Sequence, residues 1–329
     1  MTVLVVGGNG QLGVACCAEL ASRGIPVRAT VRDRRRASDL PSAVEVVELD
    51  LTDGPKRRGE ALAGVDAVIL SANSAAPRRG DRPGAVEDAA LALIDEATAA
   101  RVGRIVLPSI PVTAVDDQVP IARARREVER RLAAAPVESW VLRLPPFMEA
   151  WLALVGSSIP LRGEPHATIG RPSPFLRRFR SLTGSLVEDR GRMLVPGPAT
   201  ARHTFIAVND AARACVEATQ RMGRNATVLE VAGPEVLTWN DVAATFASVL
   251  DRPVKISTTP AAVYAAAAVV MRPFGGAPWR TMALNRFVAS HETAWSPPGG
   301  GLVDAASMTT VEQFLRGKVA LDPALPLVP

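Results

Sequence analysis

Short apolar runs alternate with longer segments of helical spacing along the first 150 residues of the chain. In residues 11–23, for example, Leu12, Cys16 and Leu20 recur every four positions, which is the spacing of a helix with one buried face. Strands that alternate with helices form βαβ units, and such units build a parallel, doubly wound sheet covered on both faces. The predicted strands are residues 2–6, 27–31, 43–49, 67–71, 104–108 and 139–143, and predicted helices include 84–101 and 121–132.

The alternation ends after Pro145, and residues 151–200 are rich in Gly, Pro, Ser and Arg without a clean period. Beyond them we predict strands at 205–208 and 228–232, and helices at 210–219, 238–250 and 261–271, with Asp210 and Thr238 capping the first two helices. The expected architecture is α/β: a Rossmann-type doubly wound parallel sheet over 1–150, to which 201–222 return. A smaller, mostly helical substrate or lid region takes 151–200 and 223–329, and the cleft between the two is the expected ligand site.

Composition excludes several classes of protein. The 329 residues carry a formal net charge of +5, with basic residues interleaved among acidic ones, which indicates a solvated surface and no nucleic-acid partner. Three cysteines without metal-ligand spacing predict no metal site and a reduced, cytoplasmic protein. No apolar stretch reaches the ~20 residues of a membrane span. We expect a monomer or homodimer that acts on a small molecule.

Tyrosine and lysine are unusually scarce. The chain has one tyrosine, Tyr264, and three lysines, Lys56, Lys255 and Lys318. The position four residues after Tyr264 is Ala268, so the chain contains no Tyr-x-x-x-Lys pair. Mechanisms that need a lysine Schiff base or a Tyr–Lys acid in the middle of the chain are therefore excluded.

A glycine-rich turn, GGNGQLG at 7–13, follows the first predicted strand and opens the first helix. We expect Gly7 to permit the sharp exit from the strand, Gly10 to let the backbone approach a pyrophosphate, and Gly13 to let the helix pack closely. The N–H groups at the start of such a helix attract phosphate. The turn therefore predicts a dinucleotide cofactor, with a purely structural turn as the alternative.

The end of the second strand indicates which dinucleotide is bound. NAD-binding proteins place an acid there, whereas this chain has Arg32, then Asp33 and three arginines at 34–36. A guanidinium can bind a ribose 2′-phosphate, so NADP(H) is favoured over NAD(H). The alternative is a solvated basic turn with Asp33 directed at the ribose. Asp50, after the third strand, is expected either to accept a hydrogen bond from the amino group of the adenine or to be a turn or cap residue.

Motifs along most of the chain resemble the NmrA-like branch of the atypical short-chain dehydrogenase/reductases. They are GGNGQLG at 7–13, VRD at 31–33, ELDLTD at 48–53, GVDAVIL at 64–70, ALIDEATAARVGRIVLPS at 92–109, IARARREVERRL at 121–132, WVLRLPPFMEAW at 140–151, HTFIAVNDAARA at 203–214 and VAGPEVLTWNDVAA at 231–244. The resemblance implies an NAD(P)-binding Rossmann fold.

The resemblance also implies residue roles. The pyrophosphate would be lined by Gly7, Gly10, Gln11 and Leu12, the 2′-phosphate by Arg32, the adenine by Asp50 and Leu51, and the ribose by Ser71, Ala72 and Asn73. Ile121 and Arg125 stand where the family keeps its tyrosine and lysine. Arginine can hold ribose hydroxyls, but with a pKa above ~12 it cannot relay a proton, and isoleucine carries none. The family's acid is therefore missing, whereas its hold on the cofactor can remain.

Four residues are candidates for the missing acid. Ser109 ends the fifth strand at the family's serine position, but a hydroxyl needs an adjacent base, so a structural or substrate-orienting role is the alternative. Glu149 follows the sixth strand and can act as an acid if buried, the alternative being a solvated loop carboxylate. His166 lies in the irregular segment. His203 precedes a predicted strand. The alternative to a catalytic role is that it is a structural residue at the edge of that strand.

These observations favour an NADPH-dependent reductase of a small, mostly apolar carbonyl or conjugated substrate, such as a biosynthetic tailoring enzyme. The alternative from another class is a non-catalytic NADP(H)-binding redox sensor, regulator or assembly factor, which the loss of Tyr and Lys supports. A nucleotide-sugar epimerase or dehydratase is disfavoured, because it normally needs the missing tyrosine.

Overall fold

A parallel sheet forms the centre of the computed structural model, which describes residues 1–72, 84–113, 116–165, 183–221, 227–231, 233–271, 276–292 and 302–321. Its strands are β1 Val3–Val6, β2 Val27–Val31, β3 Glu45–Glu48, β4 Ala67–Leu70, β5 Arg104–Ser109, β6 Glu138–Arg143 and β9 Thr227–Glu230. They lie in the order β3-β2-β1-β4-β5-β6-β9, and all pairs are parallel. The strand order reverses beside β1, so a ligand crevice is expected at the carboxyl ends of β1 and β4. The predicted Rossmann-type α/β fold is confirmed.

Helices cover both faces of this sheet. Across the described residues, the helices on and beyond the sheet are α1 Gln11–Ser22, α2 Pro55–Leu62, α3 Ala85–Ala99, α4 Pro120–Ala134, α5 Met148–Leu154, α6 Leu186–Arg190, α7 Val208–Gln220, α8 Trp239–Leu250, α9 Ala261–Met271, α10 Gly276–Ser290 and α11 Val311–Val319. In β1, Val3 and Val5 pack towards α1 and α7, whereas Leu4 and Val6 pack towards α2, α3 and α4. Because both faces are buried, this strand is apolar at every position.

A second apolar core lies in the C-terminal part of the chain. It joins α5, α6, α8, α10 and α11 through buried side chains such as Trp151, Trp239 and Phe314. Two small sheets border it: β7 Arg192–Pro196 pairs in parallel with β11 Lys255–Thr259, and β8 Arg202–Thr204 pairs antiparallel with β10 Val236–Thr238. Strand β9 comes from the range predicted for the lid, yet it extends the main sheet beside β6. The described helices include none with the length and apolarity needed to span a membrane.

Two local predictions near the start of α7 are wrong. The strand predicted at 205–208 lies earlier, at Arg202–Thr204, because the chain turns at Ile206 to bridge to Phe147 and then enters the helix. Asp210 lies inside the first turn and does not cap α7. Its carboxylate binds the Arg213 guanidinium and the backbone N–H of Thr309 instead.

The predictions for α8 and α9 are confirmed. Thr238 caps α8 in a capping box with Asp241, in which each side chain accepts the other residue's backbone N–H. Helix α9 has the predicted bounds, Ala261–Met271, but contains no buried residue.

Candidate functional site

The glycine turn lies at the carboxyl edge of the sheet, where β1 meets α1. Gly7 has a φ of +82°, and a Cβ added to it would lie 3.2 Å from the Cα of Ala72. The N–H of Gly10 donates to the carbonyl of Gly7 at 2.9 Å, which closes the turn. A Cβ on Gly13 would overlap that same carbonyl oxygen. Only glycine therefore fits at Gly7 and Gly13.

The turn presents the N-terminus of α1 to the crevice. Within the described ranges no side chain caps this helix, and its first turn holds no acidic residue, so the positive end of the helix dipole is not neutralised there. The hydroxyl of Ser71 donates to the carbonyl of Val6 at 2.8 Å and ties the end of β4 to the end of β1. The structure thus brings together Gly7, Gly10, Gln11, Leu12, Ser71 and Ala72. Asn73 lies outside the described residues.

The end of β2 is strongly basic. Arg32 directly follows the strand and is exposed. Asp33 caps a 3₁₀ turn over Arg34–Arg36, and its carboxylate accepts from the backbone N–H of Arg35 at 3.1 Å and from its Nε at 3.0 Å. These contacts hold the pKa of Asp33 below its usual range. The Asp33 carboxylate is thus bound to Arg35.

The turn after β3 is held by its own side chains. Oδ1 of Asp50 accepts from the backbone N–H of Thr52 at 3.0 Å and from its hydroxyl at 2.8 Å, as the turn alternative predicts. Leu51 is buried, and its carbonyl accepts from Arg58 of α2 at 3.2 Å. Arg58 in turn binds both carboxylate oxygens of Glu96, at 2.6 and 2.8 Å. Sequence reasoning missed Arg58, because an arginine on a short polar helix gives no signal of burial.

Ile121 and Arg125 lie one turn apart near the start of α4. Both line a small cavity beside Ala72. Nη2 of Arg125 donates to the carbonyl of Ala72 at 3.1 Å. Burial lowers the pKa of Arg125 to about 10, an effect that the charges of Glu87 and Glu129 partly oppose. The guanidinium therefore stays charged at neutral pH, next to the end of β4.

Ser109 is buried at the end of β5, with a carboxylate beside it. Its Oγ donates to Oε1 of Glu129 in α4 at 2.5 Å. The same carboxylate accepts from Arg126 and, at 2.9 Å, from Nη2 of Arg143. The Glu129 carboxylate therefore joins Ser109 to two guanidinium groups in one buried network. Sequence reasoning missed Glu129, whose signal was an acid one turn after Arg125 on the buried face of α4.

Glu149 lies in the first turn of α5 and is only 3% exposed. Oε1 accepts from the backbone N–H of Val208, the first residue of α7, at 2.9 Å. Oε2 is buried and has no hydrogen-bond partner within the described structure. Burial raises the pKa of Glu149 to about 7. The alternative of a solvated loop carboxylate is therefore wrong.

His203 is buried in β8, inside an aromatic cluster. Its ring centroid lies 5.2 Å from that of Trp239 and 6.2 Å from that of Phe205. Burial lowers its pKa to about 4, so the ring is neutral at pH 7. These contacts fit packing better than catalysis. His166, the other histidine candidate, lies outside the described residues.

The reversal of strand order beside β1, the glycine turn and the uncapped helix together define the class of a Rossmann-type dinucleotide-binding protein. Residues 7–145 match the family described as NAD(P)H-binding. This part of the chain is similar to that family, in line with the predicted NAD(P)-binding relationship.

Similar proteins span most of the chain. An NAD(P)H azoreductase from Xenophilus azovorans is 26% identical over 254 residues, which are 77% of this chain and 75% of that protein. The structure also resembles triphenylmethane reductase of Citrobacter sp. complexed with NADP(H), with a TM-score of 0.69, 17% identity and coverage of 97% and 100% of the two chains. The NADPH-dependent quinone oxidoreductase QOR2 of Escherichia coli, complexed with NADPH, has a TM-score of 0.66, 21% identity and coverage of 96% and 99%. At these identities the two structural likenesses establish the fold.

Proposed function

We propose that this chain is an NADPH-dependent reductase of a small, mostly apolar carbonyl or conjugated substrate. The observation that carries the proposal is the glycine turn at the strand-order reversal, where a Cβ on Gly7 would crowd Ala72 and the N-terminus of α1 faces the crevice. The azoreductase, triphenylmethane reductase and quinone oxidoreductase support reduction as the reaction, because each is named for it.

The preference for NADPH is part of the proposal. Arg32 is exposed at the end of β2, where an NAD-binding protein keeps an acid. Asp33, the acid that directly follows Arg32, already forms an ion pair with Arg35. A 2′-phosphate therefore meets positive charge at this position.

The chain's own residues bind the cofactor and orient the reactants. When bound, the nicotinamide supplies the hydride, and correct orientation of the two reactants lowers much of the barrier. Arg125 provides a fixed positive charge at the end of β4 but no proton relay. Ser109 donates to Glu129, while Glu149 and His203 are buried in packed surroundings. We infer that the proton comes from water or from the substrate.

The test has two steps. NADPH and NADH are titrated against the protein by nucleotide fluorescence, and hydride transfer is then followed across a panel of ketones, enones, quinones and azo dyes. We expect tighter binding of NADPH than of NADH and turnover of at least one apolar conjugated acceptor. If neither nucleotide binds, the proposal is wrong.

A second candidate is a non-catalytic NADP(H) sensor. The observation in its favour is that Ile121 and Arg125, which cannot relay a proton at neutral pH, stand where the resembling family keeps Tyr and Lys. Tight NADPH binding without turnover of any acceptor in the panel would favour this candidate over the reductase.

A further inference from the structure

Helix α9 is apolar on every side, yet none of its residues is buried. Although 22% of the residues of the chain are charged, the sequence of α9, Ala261–Met271, contains no acidic or basic side chain. A helix that is apolar all round is normally covered on each face by other elements of a protein. Helix α10 packs along α9, and the residues on one face of α9 are half-buried, whereas those on the other face are exposed to solvent.

The exposed residues of α9 form one stripe. They recur at intervals of three or four positions, which places them on the same side of the helix: Ala262, Val263, Ala266, Val269 and Val270. The three valines are 52%, 69% and 63% exposed. The other strongly exposed large apolar side chains of the described residues lie in separate parts of the chain: Met1, Val112, Val228 and Leu321. A cluster of exposed apolar side chains of this kind marks an interaction surface.

The spacing of the stripe indicates a helix as the partner. Val263, Ala266 and Val270 follow one another after three and then four positions, which is the repeat with which one helix packs along another. A helix that lies on a membrane surface normally carries lysine or arginine on a polar face, and α9 has neither. The partner must itself present an uncharged apolar strip, and α9 of a second copy of this chain presents one.

A two-fold axis across α9 makes this pairing self-complementary. Ala266 is the midpoint of Ala261–Met271, so an axis beside it pairs two copies of the helix antiparallel along their whole length. Val263 of one copy then meets Val269 of the other. Because neither helix has a charged side chain, the charges that meet are the ends of the helix dipoles, and antiparallel pairing places each positive end beside a negative one.

The size of the face limits the strength of the contact. Eleven residues of helix are about 16 Å long and about 10 Å wide, which gives a footprint of roughly 160 Å² on each copy. A stable dimer removes about 800 Å² of surface from each partner, so α9 alone supports a weak, reversible association.

We propose that α9 is a self-association surface, on which α9 of a second copy packs antiparallel about Ala266 to form a weak homodimer. This inference does not rest on the proposed reductase function, because it uses no residue of the nucleotide crevice.

Sedimentation velocity between about 5 and 500 µM measures the association. We expect mostly monomer at the low end of this range and mostly dimer at the high end. Val269→Glu combined with Val270→Glu places like charges in both faces and should weaken the dimer at least about tenfold. Val228→Glu, which changes an exposed valine of β9, is the matched control and should associate as the wild type does. A monomeric wild type at 500 µM, or unchanged association of the double variant, would overturn the proposal.

Ala266→Cys tests the position of the two-fold axis. The three natural cysteines are buried, so the added thiol is the exposed one. Near the axis the two added thiols lie within the ~7 Å between Cα atoms that a disulfide can span. Oxidised glutathione, which takes up the two electrons and two protons, should therefore give a covalent dimer. Ala244→Cys, in which the thiol is exposed on α8, should stay largely monomeric, and equal cross-linking of the two variants would overturn the proposal.

Flotation with phosphatidylcholine vesicles tests the other possible occupant of the face. We expect the wild type to remain unbound to the vesicles, as the double variant does. Flotation of the wild type that is lost in the double variant would assign the face to a membrane surface and overturn the proposal. Thermal unfolding of each variant checks that the fold is retained.

Discussion

The hydroxyl of Ser109, at the end of β5, donates to the carboxylate of Glu129 in α4 over 2.5 Å. Arg126 and Arg143 bind the same carboxylate, so the group connects β5, α4 and β6. A serine in this position of the resembling family belongs to the chemistry. Here its hydrogen-bond partner is an anion already held by two cations, which indicates a structural role.

Ser109→Ala should therefore lower stability rather than turnover. The loss of one hydrogen bond to a charged group costs about 1.5–3 kcal/mol, and Glu129 keeps both arginines, so no charge is left unpaired. Denaturant unfolding measures the cost, and Ser22→Ala, in which the hydroxyl is exposed on α1, is the control. A positioned acid contributes about 100-fold or more, so a loss of turnover of that size would instead assign Ser109 to proton transfer.

Arg32→Ser should reduce the affinity for NADPH by at least about tenfold and leave that for NADH nearly unchanged, because a charge-assisted hydrogen bond to the 2′-phosphate is lost. Fluorescence titration of both nucleotides measures the ratio. Arg130→Ser, which removes an exposed arginine of α4, controls for net charge. An equal loss for the two nucleotides would place Arg32 away from the 2′-phosphate.

The expected effect of Gly13→Ala is the loss of nucleotide binding. The new Cβ would overlap the carbonyl oxygen of Gly7, so α1 must shift and the phosphate turn must open. We expect NADPH affinity to fall more than about tenfold and stability to fall by about 1–3 kcal/mol.

Gly59→Ala in α2 is the matched control for that substitution. Nothing lies within 4 Å of the added Cβ, and alanine favours the helix by about 1 kcal/mol. This variant should be slightly more stable than the wild type and bind NADPH normally. Normal NADPH binding by Gly13→Ala would show that the close contact of α1 with the turn is not needed.

The sequence predicts those features of the fold that are determined by residues close together along the chain. The apolar strands, the glycine turn and the Thr238 cap are local patterns, and each was found as predicted. The partners of buried polar groups are not local: Glu149 receives its hydrogen bond from Val208, 59 residues away, and Ser109 is separated from Glu129 by 20. Such pairs depend on how the elements pack, which is why the cofactor turn could be predicted and the states of the candidate acids could not.

The wrong prediction of a strand at 205–208 has a related cause. Its apolar residues were interpreted as a strand, but Phe205 and Ile206 are buried because the chain passes between the two cores and enters α7. A short apolar run shows burial and does not by itself distinguish a strand from a buried connection.

Glu149 and His203 should shape the pH dependence of stability in opposite directions. Burial raises the pKa of Glu149 from 4.5 to about 7, so the folded state binds its proton more tightly than the unfolded state, and the stabilisation is lost as pH rises from about 4.5 to 7. Burial lowers the pKa of His203 from 6.5 to about 4, so its contribution rises with pH between about 4 and 6.5. The two slopes largely cancel in the wild type between pH 4.5 and 6.5.

Glu149→Gln separates the two contributions. The amide oxygen can still accept from the N–H of Val208, and the side chain no longer titrates, so only the rise due to His203 should remain over that interval. The free energy of unfolding of the variant, relative to the wild type, should therefore increase by about 3 kcal/mol from pH 4.5 to pH 7. Denaturant titrations at half-unit steps of pH measure this difference, and Glu127→Gln, an exposed glutamate of α4, should show none of it. A difference between Glu149→Gln and the wild type that stays constant with pH would mean that folding leaves the pKa of Glu149 unchanged.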